Sequence, residues 1–95
     1  MSAQELLSMM KLFLDGNYPA EAFSFDFEDR LFELSDQLKN ENFELYDFLN
    51  DMMPEICANF EPYEAERRSR PDIYLSEEQM RKKVAEVYEK ALKLV

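Results

Sequence analysis

Ninety-five residues, 46% apolar and 14% aromatic, suffice for one small domain with a single core. One glycine, four prolines, one cysteine and no histidine exclude a collagen-like repeat, a turn-rich β-sandwich, an internal disulfide and the usual His-dependent catalytic and zinc sites. With 21 acids against 11 bases, net -10, the chain should be repelled by nucleic acid and by anionic membranes, so the expectation is an acidic binding protein with neither enzymatic activity nor a cofactor.

The first apolar stretch, Leu6 to Leu14, is interrupted by Ser8 and Lys11 and has neither a basic start nor a small-residue cleavage site. No segment reaches the ~20 apolar residues of a membrane span, and the chain is expected to be cytoplasmic. Ser2 and Glu5 have the spacing of a capping box, in which each side chain serves the other's amide. Leu6, Leu7, Met10, Phe13 and Leu14 follow at helical spacing, and Gly16 stands where a left-handed cap is expected. This predicts a first helix over 3–15.

Pro19 suits a helical first turn, where its missing N–H would be unpaired anyway. Phe23, Phe27, Leu31, Leu34 and Leu38 then form one stripe, which predicts a second helix running through Leu38. Phe25 and Phe32 lie off that stripe, seven residues apart, and are expected to widen the core face. The third series is Leu45, Phe48, Leu49, Met52, Met53, Ile56, Cys57 and Phe60, with both methionines and the thiol expected in the core. Pro54 sits inside it, and the periodicity persisting across the proline favours a kink near Leu49–Asn50 over a break.

Residues 61–75 read as irregular, bracketed by Pro62 and Pro71, with Arg67, Arg68 and Arg70 expected to pair locally with Glu61, Glu64 and Glu66. Ser76 with Gln79 forms a second capping box, and Leu75 with Met80 has the spacing of a hydrophobic staple. Met80, Val84, Val87, Tyr88, Ala91, Leu92 and Val95 supply the last stripe. The expected fold is all-α, an antiparallel four-helix bundle forming a single domain over 1–95.

Charge divides the chain at Glu66. Residues 1–66 hold sixteen acids and three bases, a net of -13, whereas 67–95 hold five acids and eight bases, a net of +3. Uncompensated like charge destabilises a compact state, which makes a cationic partner a reasonable expectation. The carboxylates never take the spacing of a calcium loop, and there is no Gly-rich phosphate loop. Leu34-Ser35-Asp36-Gln37-Leu38 lacks the Asp-Ser-Leu order of the acyl carrier proteins.

Three blocks carry a resemblance to a known family. Leu12-Phe13-Leu14 is followed by Ala20 and Phe23-Ser24; Leu49-Asn50 leads to Phe60-Glu61-Pro62; and the last amphipathic helix carries Glu77-Glu78, Arg81 and Val84. Together they resemble the colicin D immunity protein family, small helical proteins that neutralise a cognate tRNA-cleaving toxin. Two departures are visible: Pro54 falls in a helix uninterrupted in that family, and Tyr63 stands where an acid tends to follow the proline.

The resemblance implies a one-to-one complex with a toxin nuclease domain, whether delivered as a colicin or by a contact-dependent growth inhibition system. It implies carboxylates that take the place of RNA phosphates in a basic cleft. Glu61 is carried over by motif; charge and position add Glu55, Glu64 and Glu66, with Tyr63 as an amphipathic anchor. No direct contact with nucleic acid or membrane is expected. Other readings stay open: an acidic adaptor or nucleic-acid mimic, a helical structural subunit, or an inhibitor like the E-type DNase-colicin immunity proteins, whose Tyr-Tyr-Pro motif has only a faint echo in Asp72-Ile73-Tyr74.

Overall fold

A computed structural model describes residues 2–95, and these fold into an all-helical body with principal extents of 42 × 22 × 21 Å. Its helices are α1 (Ser2–Leu14), α2 (Ala20–Glu33), α3 (Ser35–Glu41), α4 (Phe43–Asn59), α5 (Glu64–Ser69) and α6 (Glu77–Leu92). That is six elements where periodicity predicts four. α4 packs against α2, α3 and α6, and α1 packs against α2, α3 and α6. Between them lie the fully buried side chains of Leu6, Phe13, Phe23, Phe27, Leu49 and Val84.

The ends of α1 show local chemistry and tertiary chemistry side by side. At its C-terminus Gly16 has φ of 83°, the Asn17 amide donates to the Leu12 carbonyl at 2.8 Å and the Gly16 amide to Phe13 at 3.1 Å. This is a Schellman cap, as the lone glycine predicts. At its N-terminus the Ser2–Glu5 capping box does not form. The Ser2 hydroxyl donates to Gln37 Oε1 at 2.9 Å, the amides of Ser2 and Ala3 donate to the Glu41 carboxylate, and Glu5 turns away to pair with Arg30. A remote carboxylate outcompetes the local one because it also ties α3 to α1.

The second predicted helix divides at Leu34, whose φ of -93° and ψ of 2° leave the helical basin. The Ser35 hydroxyl donates to the Phe32 carbonyl at 2.9 Å, a local bond of the kind that bends helices. Helical bonding resumes at once, with Leu38 N–H donating to Leu34 at 2.8 Å, and Leu38 stays fully buried. α4, by contrast, runs unbroken through Pro54. The proline leaves the carbonyl of Asn50 without its helical donor, and Asn50 is an exposed residue that water can serve. Asn42 caps α4 by accepting from the Leu45 amide at 3.1 Å, and its amide group holds the Leu94 carbonyl at 2.8 Å.

Residues 61–75 are not irregular throughout. A backbone bridge closes their base, with Glu61 N–H donating to Leu75 at 2.9 Å and Leu75 N–H to Asn59 at 2.7 Å. Within the excursion lies α5, which has acids in its first turn and bases in its last, as the helix dipole favours. It buries no residue, so no apolar period announces it. α6 starts with the Ser76–Gln79 capping box as predicted. Arg81 on α6 rests over the Phe13 ring at 4.5 Å and donates to the Phe13 carbonyl and to Glu77, fastening α6 to the end of α1.

Candidate functional site

The residues nominated by the sequence fall on two structural features. Glu61, Tyr63, Glu64 and Glu66 belong to the clamped excursion; Glu55 lies on α4, at the wall of a groove between α4, residues 72–75 and α6. The groove encloses about 500 Å³ over an apolar floor that includes Phe48, Ile56 and Val87. Asp51, Glu55, Asp72 and Glu86 line it together with Lys83 and Lys90. None of Glu61, Tyr63, Glu64 and Glu66 lines it.

On the excursion, part of the charge is already used. Glu64 pairs with Arg68 at 2.8 Å, one helical turn away. Glu61 is half-buried; its carboxylate accepts from the Tyr63 amide at 3.2 Å and its carbonyl from Arg67 at 2.7 Å. Arg70 lies 3.8 Å from Asp72. Of the expected pairs with the upstream acids only Arg68–Glu64 forms; Arg67 serves a backbone carbonyl, and Arg70 faces Asp72, an acid downstream of it. Tyr63, 68% exposed, presents its ring to solvent. The carboxylates of Glu55 and Glu66 form no ion pair among the described residues.

More than half of the acids lie elsewhere. Residues 20–59, which include α2, α3 and α4, hold eleven acids and two bases. Both bases are engaged: Arg30 bonds to Glu5 and Glu33, and the Lys39 ammonium sits 4.9 Å from the centre of the Tyr46 ring. Two carboxyls, Glu5 on α1 and Glu28 on α2, feel opposite environments. The Arg30 hydrogen bond holds Glu5 below its ordinary value of 4.5, while burial and then neighbouring Asp29 push Glu28 above it.

Several apolar side chains depart from the sequence expectation. Phe25 is 65% exposed and Phe32 82%, so neither widens the core. Met52 is partly exposed beside the groove, whereas Met53 is fully buried. Phe48 is only half-buried against the core. The signal for Phe25 and Phe32 was present in the sequence, since both lie off the stripe that Phe23 and Phe27 define. Cys57 is buried as expected, and burial, then the charge of Glu28, pushes its thiol up to about 12.

Among the described residues no three Asp, Glu or Cys side chains converge to hold a metal ion, and no buried side-chain polar atom lacks a partner. Nor is any helix among them long and apolar enough to cross a membrane. The surface carries free carboxylates that can pair with cations and exposed rings that can anchor a partner. Compared with protein-family models, with curated proteins and with solved structures, the chain matches none.

Proposed function

We propose that this chain is a cytoplasmic, non-enzymatic immunity protein that binds a cognate tRNA-cleaving toxin nuclease domain one to one and occludes its active-site cleft. The observation that carries the reading is the charge of residues 20–59, eleven acids whose only two bases are occupied internally. Such a surface attracts the basic cleft of a ribonuclease over a long range and speeds encounter. The resemblance to the colicin D immunity family supplies the toxin class. In this reading α1, α2 with α3, α4 and α6 are the four members of an antiparallel bundle, and α5 is a decoration on the connection before α6.

The contact proposed from the sequence is Glu55, Glu61, Tyr63, Glu64 and Glu66. Glu55 and Glu66 are free to pair, Tyr63 is exposed, and Glu64 would exchange Arg68 for a toxin cation. The test is tRNA cleavage by purified nuclease domains of colicin D-type toxins, titrated with this protein. Cleavage by the cognate domain should cease near equimolar protein. Inhibition at far lower amounts would indicate an enzymatic antidote, and no inhibition across the panel would overturn the proposal.

A further inference from the structure

α2 carries aromatic rings on two opposite sides. Phe23 and Phe27 are fully buried, and Phe23 stacks on Phe13 with ring centroids 4.5 Å apart. Phe25 and Phe32 point the other way and are the most exposed phenylalanines of the chain. Seven residues separate them, two helical turns, so at about 100° per residue they fall within about 20° of one another and about 10 Å apart along the axis. The same arithmetic places Glu21 and Glu28 on one flank of this pair and Asp29 on the other, all within about 60° of both rings, with Glu33 farther round at about 80–100°. Among the described residues, Glu33 alone of these acids is in an ion pair, with Arg30.

We infer that the outward face of α2 is a docking surface for a cationic protein surface with an apolar recess, Phe25 and Phe32 entering the recess while the flanking carboxylates meet the surrounding lysines and arginines. Charge complementarity selects this occupant. A second copy of the chain, apposed through the same face, would set acids against acids, and an anionic lipid headgroup or a nucleic acid would be repelled in the same way. Large rings ringed by charge match the make-up of interface hot spots, in which a few desolvated aromatics supply most of the binding energy. This surface lies outside the 55–66 segment and does not depend on the partner being a toxin.

The test uses an 18-residue (by design) amphipathic peptide of lysine and leucine only as the cationic probe, followed by amide chemical shifts and by anisotropy of a labelled copy. Shifts should centre on residues 21–33, and added salt should weaken binding. F25S/F32S should bind about tenfold more weakly, while F43S, which removes another exposed ring at the start of α4, should bind within about twofold of the parent. Thermal melting of F25S/F32S should match the parent. Shifts centred elsewhere, equal losses in F43S, or a melting temperature lowered as by a core variant would overturn the inference. So would a parent dimer that F25S/F32S disperses, since a second copy would then be the occupant. If F25S/F32S bound the peptide normally while the parent still inhibited a toxin one to one, the docking surface would fail and the proposed function would stand.

Discussion

Glu41, the last residue of α3, caps the N-terminus of α1: its carboxylate accepts from the Ser2 amide at 3.1 Å and from the Ala3 amide at 3.2 Å. Two otherwise unpaired donors and the positive end of a helix dipole are served by a residue thirty-nine positions away. Glu41→Ala should therefore cost about 1 kcal/mol in urea unfolding, as loss of a helix cap does. Glu5→Ala should not have that effect through α1, because Glu5 pairs with Arg30 instead.

The two sides of α2 predict opposite responses to the same substitution. Phe23→Ala removes a ring stacked in the core and should cost about 3–5 kcal/mol. Phe25→Ala and Phe32→Ala remove exposed rings and should stay within about 0.5 kcal/mol of the parent. Denaturant midpoints of the three variants check this directly.

Glu28 should make the protein less stable as pH rises. Its folded value lies above 4.5, so below 4.5 both folded and unfolded states are protonated and no penalty exists. The penalty sets in as pH rises through 4.5 and is complete above the folded value. Glu28→Gln should accordingly raise the melting temperature near neutrality and leave it unchanged at about pH 3. Glu5 has the opposite sign: the stability from its Arg30 bond is present above 4.5 and is lost as pH falls through its lower folded value, a small effect because both side chains are exposed to solvent screening.

Cys57 should be inert in the native state. Its thiol is buried and pushed from 9.0 up to about 12, so a disulfide reagent should label it only as fast as the chain opens, and fully in guanidinium. Raising pH above 9.0 ionises the unfolded thiol first and lowers stability. Tyr18 adds to that loss above 10.0, because burial and its 2.6 Å bond to Asp26 push the phenol up to about 12. Cys57→Ala should reduce the alkaline loss measurably.

If the 55–66 segment meets a desolvated basic cleft, Glu66→Ala should weaken toxin binding by about 2–5 kcal/mol, chiefly through faster dissociation. Glu61→Ala should cost as much, since its carboxylate also accepts from the Tyr63 amide and so positions the exposed ring. Kinetics of both variants against the cognate nuclease domain read this. A normal off-rate in both would move the contact to α2.

Several elements were legible in the residues because their causes are local. The Ser76–Gln79 box, the Gly16 cap and the stripe that carries α4 across Pro54 each depend on side chains within a few positions of one another. The large acidic excess was equally plain from composition. Tertiary structure decided what local pattern leaves open. Ser2 had a suitable partner at Glu5, yet Glu41 reached the helix end only once α3 lay beside α1. α5 escaped detection because a helix that buries nothing has no hydrophobic period. The break at Leu34 is invisible in the stripe itself, which continues in register through the buried Leu38. For a helix bearing rings on both sides, composition and spacing permit either side to be core; packing against α1, α3 and α4 sent Phe23 and Phe27 inward and left Phe25 and Phe32 in solvent.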